Sequence, residues 1–353
     1  MPCRSRLSTP TLRIARATSP TAESNFAPTV GFKVDLAGGV ALRGSFTTAN
    51  RFPNPQLSRQ VSSGPSGGTD LEPVNDPLRG NAQYLVAVAT PLNPPLHTEA
   101  AATQTAGIVY HHGSSSHLRV SLDFVDTRKT DELISLSPQL AVDLENIFPD
   151  RVVRAPPAPG DPFGAGVIST VFTGDVNAAW RHSQDWTLAV DYSRDQFLGG
   201  TLELYSRLVY FQRYEVQWLP TSRPVDELRQ PDGLLPGLLR YRSNFGANWS
   251  GPKFGLGLDG HYFHSRVLPA PEQSTQGSDR IDPFWQFDAF VQGDLTRWLP
   301  WRNPRLGLRA QFRVNNLFGA GFPRYANDPS GAGVQPYGDW RGRTCSLSVT
   351  ATY

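Results

Sequence analysis

Three runs of residues have spacings that chemistry could use. Gly255-Leu256-Gly257-Leu258-Asp259-Gly260 matches the dinucleotide fingerprint G-x-G-x-x-G, which requires a tight turn into a helix N-terminus that holds pyrophosphate. Here the run lies inside a period-2 pattern that His261-Tyr262-Phe263-His264 continues, so its glycines read as crowded or curved strand positions. Gly64-Pro65-Ser66-Gly67-Gly68 matches the nucleophile elbow G-x-S-x-G. A working elbow has a strand before the serine and a helix after it; a Ser/Gly/Pro-rich run supplies neither. His111, His112 and His117 crowd one hairpin and raise the question of a metal. Adjacent strand positions face opposite sides, so His111 and His112 do not converge, and His261 and His264 meet the same obstacle. The sequence therefore offers no catalytic residue, no cofactor site and no metal ligand set.

The charges are more informative. Arg43, Arg119, Arg207, Arg309 and Arg313 fall in mid-strand on hydrophilic faces. They could steer an anion, but the plainer expectation is ion pairing across neighbouring strands with Asp123, Glu203, Asp288 and Asp294. Charged residues in the middle of strands require that face to look into water or a polar filling.

The elements that must position these residues are strands. Thr344-Cys345-Ser346-Leu347-Ser348-Val349-Thr350-Ala351-Thr352-Tyr353 alternates polar and apolar without a break and stops on an aromatic. Cys345, Leu347, Val349, Ala351 and Tyr353 share a greasy face; the threonines and serines share a wet one. The same alternation recurs upstream, giving eleven strands: 28–36, 40–47, 103–112, 117–127, 176–194, 201–217, 239–250, 253–265, 281–295, 305–315 and 344–353. Tight connections such as Ala37-Gly38-Gly39, Gly113–Ser116, Phe197–Gly200 and Gly251-Pro252 alternate with long polar ones, at 50–102, 128–174, 219–237 and 319–340. Within 128–174, Ser137 as N-cap, Pro138 at the first position and Pro149 beyond the end predict a short helix stacking Leu140, Leu144 and Phe148.

Short turns at one rim and long loops at the other are the asymmetry of an outer-membrane barrel. A soluble β-sandwich also alternates, but with shorter strands and similar loops at both ends. No stretch approaches the roughly 18 consecutive apolar residues of a transmembrane helix. A formal net charge of +2 gives no reason to expect a nucleic-acid partner. The two cysteines, Cys3 and Cys345, form no disulfide framework. Segment 1–26, rich in Ser, Thr, Pro and Ala, lacks the apolar core of a secretory signal and is expected to be a disordered tail. The fold class is all-β: an antiparallel transmembrane β-barrel of about eleven strands spanning 27–353. Because such barrels have even strand numbers, the odd count predicts an incomplete barrel.

Arg305 to Phe318, "RLGLRAQFRVNNLF", resembles the penultimate strand of the TonB-dependent outer-membrane receptors, with Val314, Asn315, Asn316, Leu317 and Phe318 as the family motif. Leu36–Pro55, Gln104–Tyr110 and Leu144–Arg154 are similar to further segments of that family. The resemblance covers roughly 27–353. It implies an outer-membrane barrel for energised import of a bulky nutrient: an iron–siderophore, cobalamin or a carbohydrate. It also implies outer-membrane lipid as a partner and the barrel-assembly machinery as reader of the terminal strand through Tyr353. The TonB complex enters only if a plug is supplied from elsewhere, since plug and energy-coupling box have no counterpart here. Trp298, Trp301 and Tyr353 are expected at the short-turn rim as girdle residues. The competing expectations are a small outer-membrane barrel with hydrolase activity, and a soluble β-rich binding module.

Overall fold

Period-2 alternation builds the observed elements. The computed structural model describes residues 6–7, 11–18, 24–53, 71–89, 96–114, 116–232, 237–297, 307–326, 333, 337 and 341–352. In chain order the strands begin with β1 (Arg6–Leu7), β2 (Thr11–Thr18), β3 (Ser24–Asp35), β4 (Val40–Arg51), β5 (Leu71–Asp76) and β6 (Ala82–Ala89). They continue with β7 (Glu99–Gly113), β8 (Ser116–Leu136), helix α1 (Pro138–Asp143), β9 (Val152–Arg154), β10 (Ile168–Phe172), β11 (Gly174–Phe197) and β12 (Gly200–Gln217). The remainder is β13 (Val225–Asp226), β14 (Tyr241–Ser250), β15 (Phe254–Phe263), β16 (Arg266–Val267), helix α2 (Ala270–Gln276), β17 (Arg280–Ile281), β18 (Phe284–Asp294), β19 (Gly307–Asn315) and β20 (Thr344–Thr352).

The main sheet runs β1-β3-β4-β7-β8-β11-β12-β14-β15-β18-β19-β20, with β2 on β3 and β13 on β12. Every pairing in it is antiparallel, as hairpin-connected strands dictate. Among the described residues the sheet does not close, and β20 pairs with β19 alone. All eleven expected strands are present, and tight turns join β3 to β4, β7 to β8, β11 to β12 and β14 to β15, with long connections between those hairpins. At the β11–β12 turn, Leu198 (φ 50°) and Gly199 (φ 77°) both take the left-handed region that a two-residue hairpin with matching twist requires.

Two regions differ from the expectation. Inside the segment read as a disordered tail, β2 pairs with β3 from Thr11↔Gly31 to Thr18↔Ser24. The composition of 1–26 masks the local alternation of Leu12 and Ile14 with Arg13 and Ala15, which suffices once β3 offers a partner edge. The long connections 50–102 and 128–174 also pack together. β5, β6, β10 and β9 form a second sheet in that order, with β6 and β10 parallel (Thr170↔Ala87, Phe172↔Ala89). Val74, Val86, Leu136, Ala141, Val142, Ile168 and Val171 form its core, with Leu144 and Phe148 packed at the edge. The helix forms as expected: the Ser137 hydroxyl accepts the Leu140 N–H at 3.3 Å. This unit caps the long-loop rim.

Candidate functional site

The register sorts side chains into two faces. On one, Leu42, Ile108, Leu122, Leu188 and Leu208 lie across consecutive strands, as do Leu204, Ala247, Leu258, Ala289, Val314 and Cys345. These apolar positions are solvent-facing: Ile108 is 44%, Leu258 43% and Leu347 70% exposed. Aromatic rows bound the band. Toward the long loops, Phe124, Trp186, Tyr210 and Tyr241 are register neighbours, and Tyr262 stacks toward Trp285 at 4.3 Å. At the short turns, Trp249 packs on Phe254 at 5.0 Å and donates its indole N–H to the Phe197 carbonyl at 2.9 Å. Trp186 to Phe197 spans eleven residue steps of β11. At ~3.3 Å per residue and ~40° tilt that is ~28 Å, the height of a hydrocarbon band. The girdle expected at Trp298, Trp301 and Tyr353 lies outside the described residues.

The opposite face carries the mid-strand charges, interspersed with Ala41, Val109, Val125, Val209 and Phe290, and is the candidate site. Arg43 makes a two-pronged contact with Asp123, donating from Nε at 2.7 Å and Nη2 at 2.6 Å, across the intervening strand β7. Gly107 is the residue between them. A Cβ there would stand 2.0 Å from Asp123 Oδ1 and 3.3 Å from Arg43 Cγ, so only glycine lets the guanidinium cross. Gly107→Ala is expected to break this fork and lower stability by about 1–2 kcal/mol, read as a lower urea midpoint in lipid vesicles; an unchanged midpoint would rule the close packing out. Further along, Arg207 pairs with Asp191, the Tyr205 hydroxyl donates to Asp259 at 2.7 Å, and Arg313 reaches Asp259 at 3.8 Å while lying 5.2 Å over the Phe290 ring. Asp288 accepts from the Gln286 amide at 3.0 Å and the Asn316 backbone N–H at 2.8 Å. The wall includes a concavity of about 720 Å³ near the short turns, lined by His111, His117, Arg119, Glu203, Arg207 and Asn248.

The expectation of cross-strand ion pairs holds in kind and changes in detail. Arg43 takes Asp123, one of the expected acceptors, across β7 rather than on the neighbouring strand. Arg207 takes Asp191, an acceptor outside the expected set: the register sets Ala189 opposite Arg207 and the long side chain reaches the diagonal neighbour. Arg313 turns to Asp259, also outside that set and two strands away. Arg119 stands opposite His111 and Asp191, and Arg309 opposite Asp294. His111 is on the polar face and His112, opposite Leu118, on the apolar one. Gly255 to Gly260 lies wholly within β15, so no helix N-terminus follows it. The Gly64–Gly68 run lies outside the described residues.

Residues 314–318 end a strand. Val314 continues the apolar face opposite Ala289, and the Asn315 amide donates to Thr344 Oγ1 at 3.1 Å. Asn316, 1% exposed, adopts a left-handed backbone (φ 51°) that asparagine tolerates better than most residues. Its side-chain amide donates to the Ala320 carbonyl at 2.9 Å and accepts the Ala320 N–H at 2.8 Å. The Leu317 N–H donates to the Phe287 carbonyl at 2.6 Å, and the exposed Phe318 ring meets Phe287 edge-on at 5.4 Å. The motif thus locks the exit of β19 onto β18. Tyr353 lies outside the described residues.

Comparison with known proteins agrees with this geometry. The family model described as "TonB dependent receptor-like, beta-barrel" matches residues 5–317. The chain superposes on a ferric enterobactin receptor mutant from Pseudomonas aeruginosa with a TM-score of 0.55 and 18% identity, covering 94% of this chain and 40% of that one. It superposes on the siderophore receptor PirA from Acinetobacter baumannii with a TM-score of 0.55 and 13% identity, over 94% and 41%. For the FrpB iron transporter from Neisseria meningitidis the values are 0.52 and 15%, over 93% and 39%. The chain spans about two fifths of the length of these structures. No curated protein matches it.

Proposed function

The chain belongs to the TonB-dependent receptor-like β-barrel family, and from that premise we propose that it is the C-terminal part of an outer-membrane importer for a bulky nutrient. The observation that carries this reading is the two-faced sheet: an exposed apolar band between aromatic rows on one side, a wall of paired charges on the other. Unpaired strand edges are untenable in hydrocarbon, so in the membrane the free edge of β20 takes a partner strand. The polar wall then faces a plug, through which the TonB complex would act; this part alone would not transport. The relatives named above handle ferric enterobactin, siderophores and iron, which favours an iron chelate as cargo over cobalamin or a carbohydrate. Lipid contacts the apolar face, and the terminal strand with Tyr353 addresses the assembly machinery. The work of such a protein is transport, not catalysis.

The native thiol of Cys345 tests the membrane placement. It is exposed, on the apolar face, opposite Val314. In a Cys3→Ser variant refolded into phospholipid vesicles, Cys345 is expected to react slowly with a charged maleimide and readily with a lipid-soluble one. Equal, fast reaction with both, or protein that stays monomeric without lipid or detergent, would refute it.

A further inference from the structure

Three long loops meet on one guanidinium. Between β15 and β18, strands β16 and β17 pair across helix α2, Arg266 opposite Ile281 and Val267 opposite Arg280. From the connection between β19 and β20, Tyr325 joins Leu268 and Ile281 in a small core and donates its hydroxyl to Glu272 at 3.0 Å. The Gln276 amide holds the same stretch, donating to the Arg324 carbonyl at 2.8 Å and accepting the Ala326 N–H at 2.7 Å. From the connection between β12 and β14, the Gly237 carbonyl accepts the Tyr337 hydroxyl. Arg266 lies between all three. Its guanidinium stands 4.4 Å over the Tyr325 ring, and its Cδ and Nη1 press on Gly237 so closely that no Cβ would fit there.

Arg266 is 5% exposed, yet its buried Nε and Nη2 have no hydrogen-bond partner. Those two nitrogens form one edge of the guanidinium, a pair of donors spaced for the two oxygens of an oxyanion. Arg43 gives that edge to Asp123, Arg154 gives it to Glu145, and Arg280 gives it to Asp279. At Arg266 the local acids are engaged elsewhere: Glu272 accepts from Tyr325, and Asp279 holds Arg280. Among the described residues no carboxylate lies within ion-pair distance of Arg266. The Tyr325 ring covers a face of the guanidinium, not its edge. A desolvated charge without a counter-charge is costly, and the surroundings add to it. Arg242, exposed on the polar face opposite Val209 and Phe263, lies with Arg266 within electrostatic reach of the Tyr337 hydroxyl.

We propose that Arg266 anchors a site for one oxyanion, a phosphate or carboxylate group, whose binding clasps the three loops together at the long-loop end of the polar face. The anion takes the Nε and Nη2 edge as Asp123 does at Arg43 and Glu145 at Arg154. Because it neutralises a charge that is buried only when the loops are docked, it binds the docked arrangement and stabilises it. The approach is lined by rings. Phe263 lies 6.3 Å from Tyr337 and 6.1 Å from Phe284, and Phe284 meets Phe322 at 4.6 Å. Arg242 beside them attracts an anion toward the clasp. The inference rests on these loops and not on the import reading. It holds for a free ion or for the same group carried on a larger, ring-bearing molecule.

Hydrogen exchange at two amides reads the clasp: Leu268, bonded to the Asp279 carbonyl at 2.9 Å, and Ala326, bonded to Gln276. In the full chain refolded into uncharged maltoside micelles, inorganic phosphate is expected to raise their protection over sodium chloride of equal ionic strength. The rise should reach at least about threefold, the factor 1 + [L]/Kd with phosphate at about twice its Kd. Paired amides of β15 and β18 should stay constant. Phenyl phosphate acting at lower concentration than phosphate would assign the group to a ring-bearing molecule, equal action to a free ion, and either supports the site. Arg266→Gln is expected to abolish the response and to leave basal protection equal or higher, since no unpaired charge is then buried. An arginine that merely holds the loops together would show the reverse, a loss of basal protection. Where that variant loses the β15 and β18 protection, Arg266→Lys decides, because it keeps the charge without the two-donor edge and should lose the response. No response in the wild type, or a full response in either variant, overturns the proposal.

Discussion

Arg154→Ala is expected to unfold the cap formed by β5, β6, β9 and β10 while leaving the main sheet intact. The guanidinium makes five contacts: Asp76 at 2.7 and 2.9 Å, Glu145 at 2.7 and 2.6 Å, and the Gly166 carbonyl at 2.8 Å. Asp76 is 0% exposed and also accepts from the Tyr84 hydroxyl at 2.5 Å and the Leu78 N–H at 3.1 Å. Removing one partner of a buried pair strands the other charge, which costs about 3–5 kcal/mol, comparable to the whole stability of so small a unit. Burial alone would raise the Asp76 carboxyl; the Arg154 and Tyr84 hydrogen bonds outweigh it and hold the group below its ordinary range.

The pH dependence follows from that sign. In the wild type the Asp76 contribution is present at neutral pH and is lost only in strong acid, as the depressed group finally protonates. Without Arg154, burial acts with little to oppose it, the carboxyl rises, and the cap should become more stable as the pH is lowered through the acid range. Limited proteolysis of the cap at pH 4.5 and pH 7.5 reads the difference, and a variant whose cap is more sensitive in acid contradicts this account. Adding Asp76→Asn to Arg154→Ala is expected to recover part of the loss, because no charge is then left buried.

Val190→Arg is expected to cost about 2–4 kcal/mol in lipid, the depth-dependent penalty for a cation at the middle of a barrel's outer face. Val190 is on the apolar face, opposite Val120 and Ser206, in the part of β11 between the Trp186 and Phe197 that bound the band. Its counterpart Thr187→Arg sits opposite Asp123 on the polar wall and should cost little, since water and an acceptor are at hand. Urea titration of vesicle-inserted protein separates the two. Equal penalties would mean that both faces see the same surroundings, and the assignment of lipid to one of them would be wrong.

Much of the architecture was legible in the chain because each long strand carries its own two-residue period. Ile108/Tyr110 against Val109/His111, or Leu308/Phe312 against Arg309/Arg313, fixes which face is which before any partner is known. Tight turns were legible for the same local reason: Leu198-Gly199 and Ala37-Gly38-Gly39 demand left-handed backbone that glycine supplies. The run from Val314 to Phe318 was legible as a signature and silent about its work. Only with β18 alongside does Asn316 emerge as the residue that turns the chain off the sheet and pins it to Asp288.

What the sequence determined by itself, then, is whatever depends on neighbours within a few residues: strand existence, facing, turn positions, and the helix behind Ser137. What tertiary structure alone decided depends on approach across long separations. The parallel pairing of Ala87 with Thr170 joins residues more than eighty apart, with no periodicity to announce it. The choice of Asp191 by Arg207 and of Asp259 by Arg313 depends on the reach of a long side chain over a pleated, twisted surface, which register sets and local spacing does not.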